Sequence, residues 1–450
     1  MKFNFKNLKE KIQNKHFLSL SGNGIMSILG MVTYGLLSHS LSLKEMGIWV
    51  FFTTGYLLME TFRSGFLTTA FIKFHAGAEK DRANEVIGSS WYIALIITGG
   101  FIALNIPAFF LENYVNDEGF SMILKWFGIT YILSLPFYMA TNIVQGDQRF
   151  DRLLYIRIIN VGSFIVLVFS LILFKEINLR NVLYSYLASC FVTSLFVMLR
   201  GWSGITLLKM RSKECILTLY NFGKFSVGTT LSANLFRTSD TLIIKIFLGD
   251  AALAIYNLGQ KLMEVIEIPL RSFTATGMPA LSSAYNQNKN SLVISEMSKY
   301  IGMLTIALVP VAILSLIFSD LAISIIGGPQ YENTEAANVL RLFMLFALLY
   351  PADRFMALTL DVIHKPKINF IKVIVMLIAN IVFDLLGVYS FGNVYGIALA
   401  SLIPTLIAVV VGFKALQSYY RFEFLQIFST GYRDLILLIN TYMGKIAKRK

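Results

Sequence analysis

Residues Ile93–Phe110 read IALIITGGFIALNIPAFF, with apolar side chains on every face of a helix. A stretch of that character approaches the roughly 20 residues that cross a hydrocarbon core as an α-helix. A barrel strand would instead alternate strictly over about 10 residues. Ile371–Leu386 reads the same way, and working outward, apolar runs recur at 17–37, 46–71, 86–111, 121–145, 153–174, 179–199, 225–248, 252–282, 297–319, 336–358, 368–389 and 394–413. The whole chain of 450 residues is 56% hydrophobic and 14% charged, with a mean hydropathy of +0.65. One soluble core could not hide so much apolar surface. These runs predict an all-α integral membrane protein with about twelve transmembrane helices.

Lys and Arg set the expected orientation, because basic loops resist translocation. One set of ends carries Lys2, Lys6, Lys9, Lys11 and Lys15, then Lys73, Lys80 and Arg82, then Arg149 and Arg152, and Arg200 to Lys213. Lys289, Lys365, Lys367 and the tail from Lys414 to Lys450 continue it, while the alternate loops offer only Lys44, Lys175 and Arg180. Both termini are therefore expected in the cytoplasm of a bacterial cell (inner) membrane protein. The net charge of +13 then marks loops beside anionic lipid rather than a nucleic-acid partner. The opening MKFNFKNLKEKIQNK leads into a full-length run without a small-residue cleavage site, and is read as an uncleaved first helix.

Short exterior loops with solvated acidic turns (Glu112, Asp117, Glu118; Asp320, Glu332, Glu335) weigh against a membrane glycosyltransferase or ligase, which needs a sizeable loop of acid/base groups. Cys190 and Cys215 cannot frame a disulfide scaffold. His16, His39, His75 and His364 are too scattered for a metal cluster, so neither metal nor cofactor is expected.

At an offset of 207 residues Gly47-Ile48-Trp49 aligns with Ala254-Ile255-Tyr256, Glu60 with Glu267 and Phe66 with Phe273. Six spans per half make these parallel repeats, two six-helix bundles around a central cavity. The expected division is an N-terminal lobe over 1–199, a cytoplasmic linker over 200–224, a C-terminal lobe over 225–413 and an amphipathic cytoplasmic tail over 414–450. The tail mixes Phe424, Leu425, Phe428, Leu435 and Leu438 with a terminal KIAKRK, as a helix lying on the leaflet would. Pro107, Pro136, Pro269, Pro279, Pro310, Pro351 and Pro404 fall inside spans.

Ionisable side chains deep in a span are costly and should face a protein interior or a watery cavity. Here they gather in the first two helices of each half. Glu60 and Arg63 share a face with Tyr56. Lys261, Glu264, Glu267 and Arg271 fall within about 120° of helical arc, as do Thr230, Asn234, Arg237, Asp240 and Thr241. Ser19, Asn23, Ser27 and Tyr34 form a milder stripe on the first helix. Arg63, Arg237 and Arg271, with Lys261, suit a phosphate group, because guanidinium is always charged and binds oxygens bidentately. Glu60, Asn23, Asp240, Glu264 and Glu267 would be polar or coupling residues of the same cavity. The competing interpretation is that Glu60 with Arg63 and Glu267 with Arg271 are ion pairs that hold the bundle together.

Leu18-Ser-Leu-Ser-Gly-Asn23, then Leu41-Ser-Leu-Lys-Glu-Met-Gly47-Ile-Trp, resembles the opening of the bacterial polysaccharide-unit (O-antigen) flippases of the multidrug/oligosaccharidyl-lipid/polysaccharide exporter superfamily. The second half carries a closer likeness in Asp240-Thr-Leu-Ile-Ile-Lys-Ile-Phe-Leu-Gly249, Ile255-Tyr256-Asn-Leu-Gly-Gln-Lys261-Leu and Pro279-Ala-Leu-Ser282. Leu41–Glu45 departs from the pattern, in which a basic residue and a Gly-Pro turn are usual. The resemblance implies a transporter rather than an enzyme, flipping an undecaprenyl-diphosphate-linked oligosaccharide by alternating access. Its partners would be that lipid, membrane lipids and other polysaccharide assembly proteins. A multidrug exporter of the same superfamily is the near alternative, disfavoured because arginines accompany the carboxylates in both halves.

Overall fold

The computed structural model describes residues 15–111 and 114–447. The basic stretch 1–14, Glu112 and Lys448 to Lys450 lie outside the described residues. All regular structure among the described residues is helical: α1 (Lys15–Ser40), α2 (Leu43–His75), α3 (Lys80–Leu111), α4 (Glu118–Gly146), α5 (Phe150–Leu173), α6 (Leu179–Leu199), α7 (Lys213–Phe247), α8 (Asp250–Asn286) and α9 (Asn290–Gly327). Then come α10 (Ala336–Val362), broken by a 3-10 turn over Ala347–Leu349, α11 (Pro366–Phe391), α12 (Val394–Gln417) and α13 (Phe424–Ala447). Helices α1 to α12 each contain or closely match one of the twelve expected runs, with α7 starting twelve residues earlier than expected and α9 extending seven to eight residues beyond its run at each end.

Local chemistry explains the ends. Leu41–Glu45, which departs from the family pattern, builds a capping box: the Glu45 backbone N–H donates to Ser42 Oγ (3.3 Å) and the Ser42 N–H donates to Glu45 Oε2 (3.0 Å). Asp117 caps α4 by accepting from the Phe120 N–H at 3.0 Å, and Asn178 caps α6 from Asn181 at 2.9 Å. Pro107, Pro136, Pro269, Pro279 and Pro310 lie inside helices, whereas Pro351 follows the 3-10 turn of α10.

Eight helices, α3 to α6 and α9 to α12, are long and apolar enough to cross a membrane. Their outward side chains are greasy, as in α9, where Ile313, Leu314, Ile317, Phe318, Leu321 and Ile325 are all exposed. Of the first twelve helices, the four that fall short, α1, α2, α7 and α8, are the first two of each half, the ones that carry the polar stripes. The protein is thus a multi-pass, all-helical membrane protein.

The chain divides into two compact units. The first runs to Lys245 and includes Gly249–Ala254; the second takes Ile246–Leu248 and everything from Ile255. Helix α7, expected to open the second lobe at residue 225, therefore packs with the first unit almost to its end. Glycines make this close: a Cβ on Gly65 would come within 2.9 Å of Thr230 Cβ, and one on Gly223 would strike the Phe66 carbonyl. The expected linker is also shorter than 200–224, because α7 already begins at Lys213. What precedes it is strapped to α3: buried Trp91 donates its indole N–H to the Ser203 carbonyl at 2.7 Å, and Gly88 leaves room only for the Leu207 backbone. Phe66, Phe71, Ile87, Trp91 and Leu135 form the adjoining core.

In the second unit Met297, Ile301, Leu304, Phe355, Met356 and Ile427 share one core. Helix α13, the expected surface-lying tail, docks on α9 through a glycine pair, where a Cβ on Gly302 would stand 2.6 Å from Gly431 Cα. Ile427 and Phe424 of α13 join that core, while Leu425 and Tyr432 stay exposed.

Candidate functional site

The Glu60–Arg63 pair is the most elaborate polar feature of the first unit. Arg63 is fully buried, and its five N–H groups are all engaged. Nε donates to Glu60 Oε1 at 3.2 Å and Nη2 to Glu60 Oε2 at 2.6 Å. Nη2 also donates to Ser134 Oγ at 2.9 Å, while Nη1 serves the Tyr131 carbonyl at 3.1 Å and Thr98 Oγ1 at 3.3 Å. The guanidinium is flanked by the Tyr131 and Tyr138 rings, 4.0 and 4.6 Å from their centroids. It ties α2 to α3 and α4 and keeps no donor for a ligand.

Asn23 stands elsewhere, on α1, where its side-chain carbonyl accepts from Arg157 Nη1 of α5 at 3.0 Å. Gly22, Asn23, Gln145, Phe150, Leu153, Leu154 and Arg157 line a cavity of about 130 Å³. A second cavity of about 210 Å³ lies beside it and shares Arg157. Among the described residues Arg157 has no carboxylate partner.

On α7, Arg237 is exposed and has no ion-pair partner among the described residues, while Asp240 is buried one turn further on. On α8, in the second unit, Lys261 Nζ holds both Glu264 oxygens at 2.8 and 2.9 Å, and Arg271 pairs with Glu267. The Arg271 side chain remains 68% exposed, in contrast with Arg63. The repeat positions Glu60 and Glu267 thus each hold an arginine, one in a core and one on a surface. Asn23, Glu60, Arg63, Arg237 and Asp240 belong to the first unit; Lys261, Glu264, Glu267 and Arg271 belong to the second.

Two cations escape a reading of local periodicity. Arg157 sits alone in α5 without a carboxylate three or four residues away, a signal present in the sequence. Lys245, near the end of α7, is buried and bridges Asp117 Oδ2 (2.8 Å) and Asp250 Oδ1 (2.5 Å). Lys44 and Glu118 add an exposed pair at 3.0 Å next to it. Burial pushes the Asp117 carboxyl up, but the Lys245 ammonium and the Phe120 and Gly119 backbone N–H groups outweigh this and hold it below the ordinary aspartate range.

Among the described residues no group of three His, Cys, Asp or Glu is placed to hold a metal ion. The arrangement offers cationic side chains on polar helix faces, a chemistry that attracts anions.

Known proteins share this architecture. The chain is similar in fold to a MATE-family multidrug resistance transporter of the MOP superfamily in an inward-facing conformation, with a TM-score of 0.71, 16% identity and coverage of 90% of this chain and 95% of that one. It is equally similar to the lipid II flippase MurJ in an inward closed conformation, with a TM-score of 0.72, 14% identity and coverage of 94% and 92%. A curated relative, "Probable low-salt glycan biosynthesis flippase Agl15" of Haloferax volcanii, is 24% identical over 358 residues, 77% of this chain and 73% of its own length. Residues 226–386 match the MatE family, and residues 12–285, more than half of the chain, match the family described as "Polysaccharide biosynthesis protein". The chain belongs to the polysaccharide biosynthesis protein family.

Proposed function

We propose that the protein flips an undecaprenyl-diphosphate-linked oligosaccharide from the cytoplasmic to the outer leaflet of a bacterial inner membrane, for surface polysaccharide or lipopolysaccharide assembly. Transport runs by alternating access of two lobes built from twelve spans, with both termini in the cytoplasm. The observation that carries this reading is the cationic character of α7 and α8, where Arg237 is exposed without a carboxylate and Lys261 and Arg271 keep part of their surface open. Guanidinium and ammonium groups on otherwise apolar spans match a diphosphate on a greasy tail. The flippase names carried by two of the similar proteins support the same direction. In this reading Arg237, Arg271 and Lys261 meet the diphosphate, Asp240, Glu264 and Glu267 tune them, and Glu60 with Arg63 hold the first unit together.

An exporter of organic cations is the competing reading, supported by the MATE-like fold but asking for acidic or aromatic surfaces free of arginine. A deletion strain separates the two. Lipid-linked oligosaccharide accumulating on the cytoplasmic leaflet, with loss of surface glycan, is the expected result; unchanged lipid intermediates with altered drug sensitivity would replace it with the exporter.

A further inference from the structure

Arg157 and the two cavities that meet at it are left unused by that reading. The side chain is half-buried in α5, and an intramembrane arginine without a carboxylate is costly unless something anionic visits it. Its basic neighbours are engaged: Arg149 grips Asp151 at 2.7 and 2.9 Å, and Arg152 lies over the Trp202 ring. Arg157 alone keeps most of its donors, since Asn23 takes one.

The two cavities differ in chemistry. The first joins Arg157 to the Asn23 and Gln145 amides, and its volume of about 130 Å³ is close to that of cavities known to accept a benzene-sized guest. That volume suits a small anionic group such as a phosphate. The second, lined by Met26, Phe137, Ile156 and Val161 with Thr141 and Asn160, is mostly apolar. A polar cavity and a mostly apolar one that share an arginine in their linings suit the head and the first tail carbons of an amphiphile.

Depth fits as well. Arg157 is seven residues into α5, about 10 Å from its start at 1.5 Å per residue, and Gln145 is the penultimate residue of α4. The loop joining α4 to α5 carries Arg149, one of the basic ends expected in the cytoplasm. The site then lies just inside the headgroup layer of the inner leaflet.

We propose that this pocket between α1, α4 and α5 binds the diphosphate and first isoprene units of a prenyl-diphosphate lipid on the flank of the first unit, a loading site separate from the polar faces of α7 and α8. The identity of the lipid rests on the flippase reading.

Native mass spectrometry of the full-length protein in neutral detergent, titrated with geranylgeranyl diphosphate, tests it. The wild type should retain the lipid; Arg157→Gln should weaken binding about tenfold or more, and Arg157→Lys should fall between, keeping charge but not the guanidinium fork. Val161→Trp, which fills the apolar chamber, should weaken geranylgeranyl diphosphate while leaving inorganic pyrophosphate unaffected. Equal binding by wild type and Arg157→Gln, each eluting as a single folded species, overturns the site. Displacement by phosphatidylglycerol at equal concentration overturns the assignment to a prenyl diphosphate and makes it a bulk-lipid site. Lipid binding lost in Arg157→Gln alongside unchanged lipid intermediates in the deletion strain would leave the pocket standing and sink the flippase reading instead.

Discussion

The arginines that pair with the equivalent glutamates Glu60 and Glu267 have opposite fates. Arg63 has every donor occupied and no exposure, so neutralising either member of its pair strands a buried charge or a set of orphaned acceptors. Glu60→Gln or Arg63→Gln is expected to destabilise the protein by about 3–5 kcal/mol, seen as a lower melting temperature in detergent and depleted protein in membranes. Arg237→Gln and Arg271→Gln should leave the melting temperature within the range of a surface pair, roughly 1 kcal/mol, while lowering surface glycan. Normal protein levels for Arg63→Gln would contradict its structural role. Sequence spacing made the Glu60–Arg63 pair legible, because three residues bring two side chains together on any helix. It could not show that Thr98, Tyr131 and Ser134 take the remaining donors, since those partners come from α3 and α4. Arg157 was legible as a cation in α5 without a carboxylate three or four residues away, but its hydrogen-bond partner among the described residues, Asn23, is 134 residues away and nothing local announces it.

Among the elements, the turn from α7 to α8 is held by Lys245 between Asp250, at the start of α8, and Asp117, at the cap of α4. Asp117 therefore both caps a helix and receives an ammonium. Its folded-state pKa is depressed, so its contribution is present above the ordinary aspartate value of about 3.9 and is lost as pH falls through the lower folded value. Thermal stability of the purified protein should drop on acidification below about pH 4. In Asp117→Asn that drop should shrink, because asparagine caps as well as aspartate but carries no charge. An unaltered acid profile in Asp117→Asn would show that Lys245 draws its stabilisation from Asp250 alone. Helix positions were readable along the sequence because hydrophobic runs are local. The bridge was not, because Lys245 and Asp117 are separated by 128 residues and nothing local announces their meeting.

For the whole molecule, composition and run length announced a helical membrane protein, and helices α1 to α12 follow those runs. The division into units followed packing instead: glycines at 65 and 223 let α7 lie against α2, so the first unit extends to Lys245 rather than ending near residue 199. The orientation can be measured with little background, since Cys190 and Cys215 are both buried. In intact cells Glu176→Cys should react with a membrane-impermeant maleimide, and Gln148→Cys only after permeabilisation; the reverse pattern would invert the topology. The same close packing recurs where α2 begins. Gly47 and Ala254 hold equivalent places at the offset of 207, yet Gly47 faces the Asp250 backbone so closely that a Cβ would stand 2.8 Å from its Cα. A side chain at residue 47 would close the gap in which the start of α8 is seated, so the absence of one atom sets how near the α7–α8 turn can come to α2.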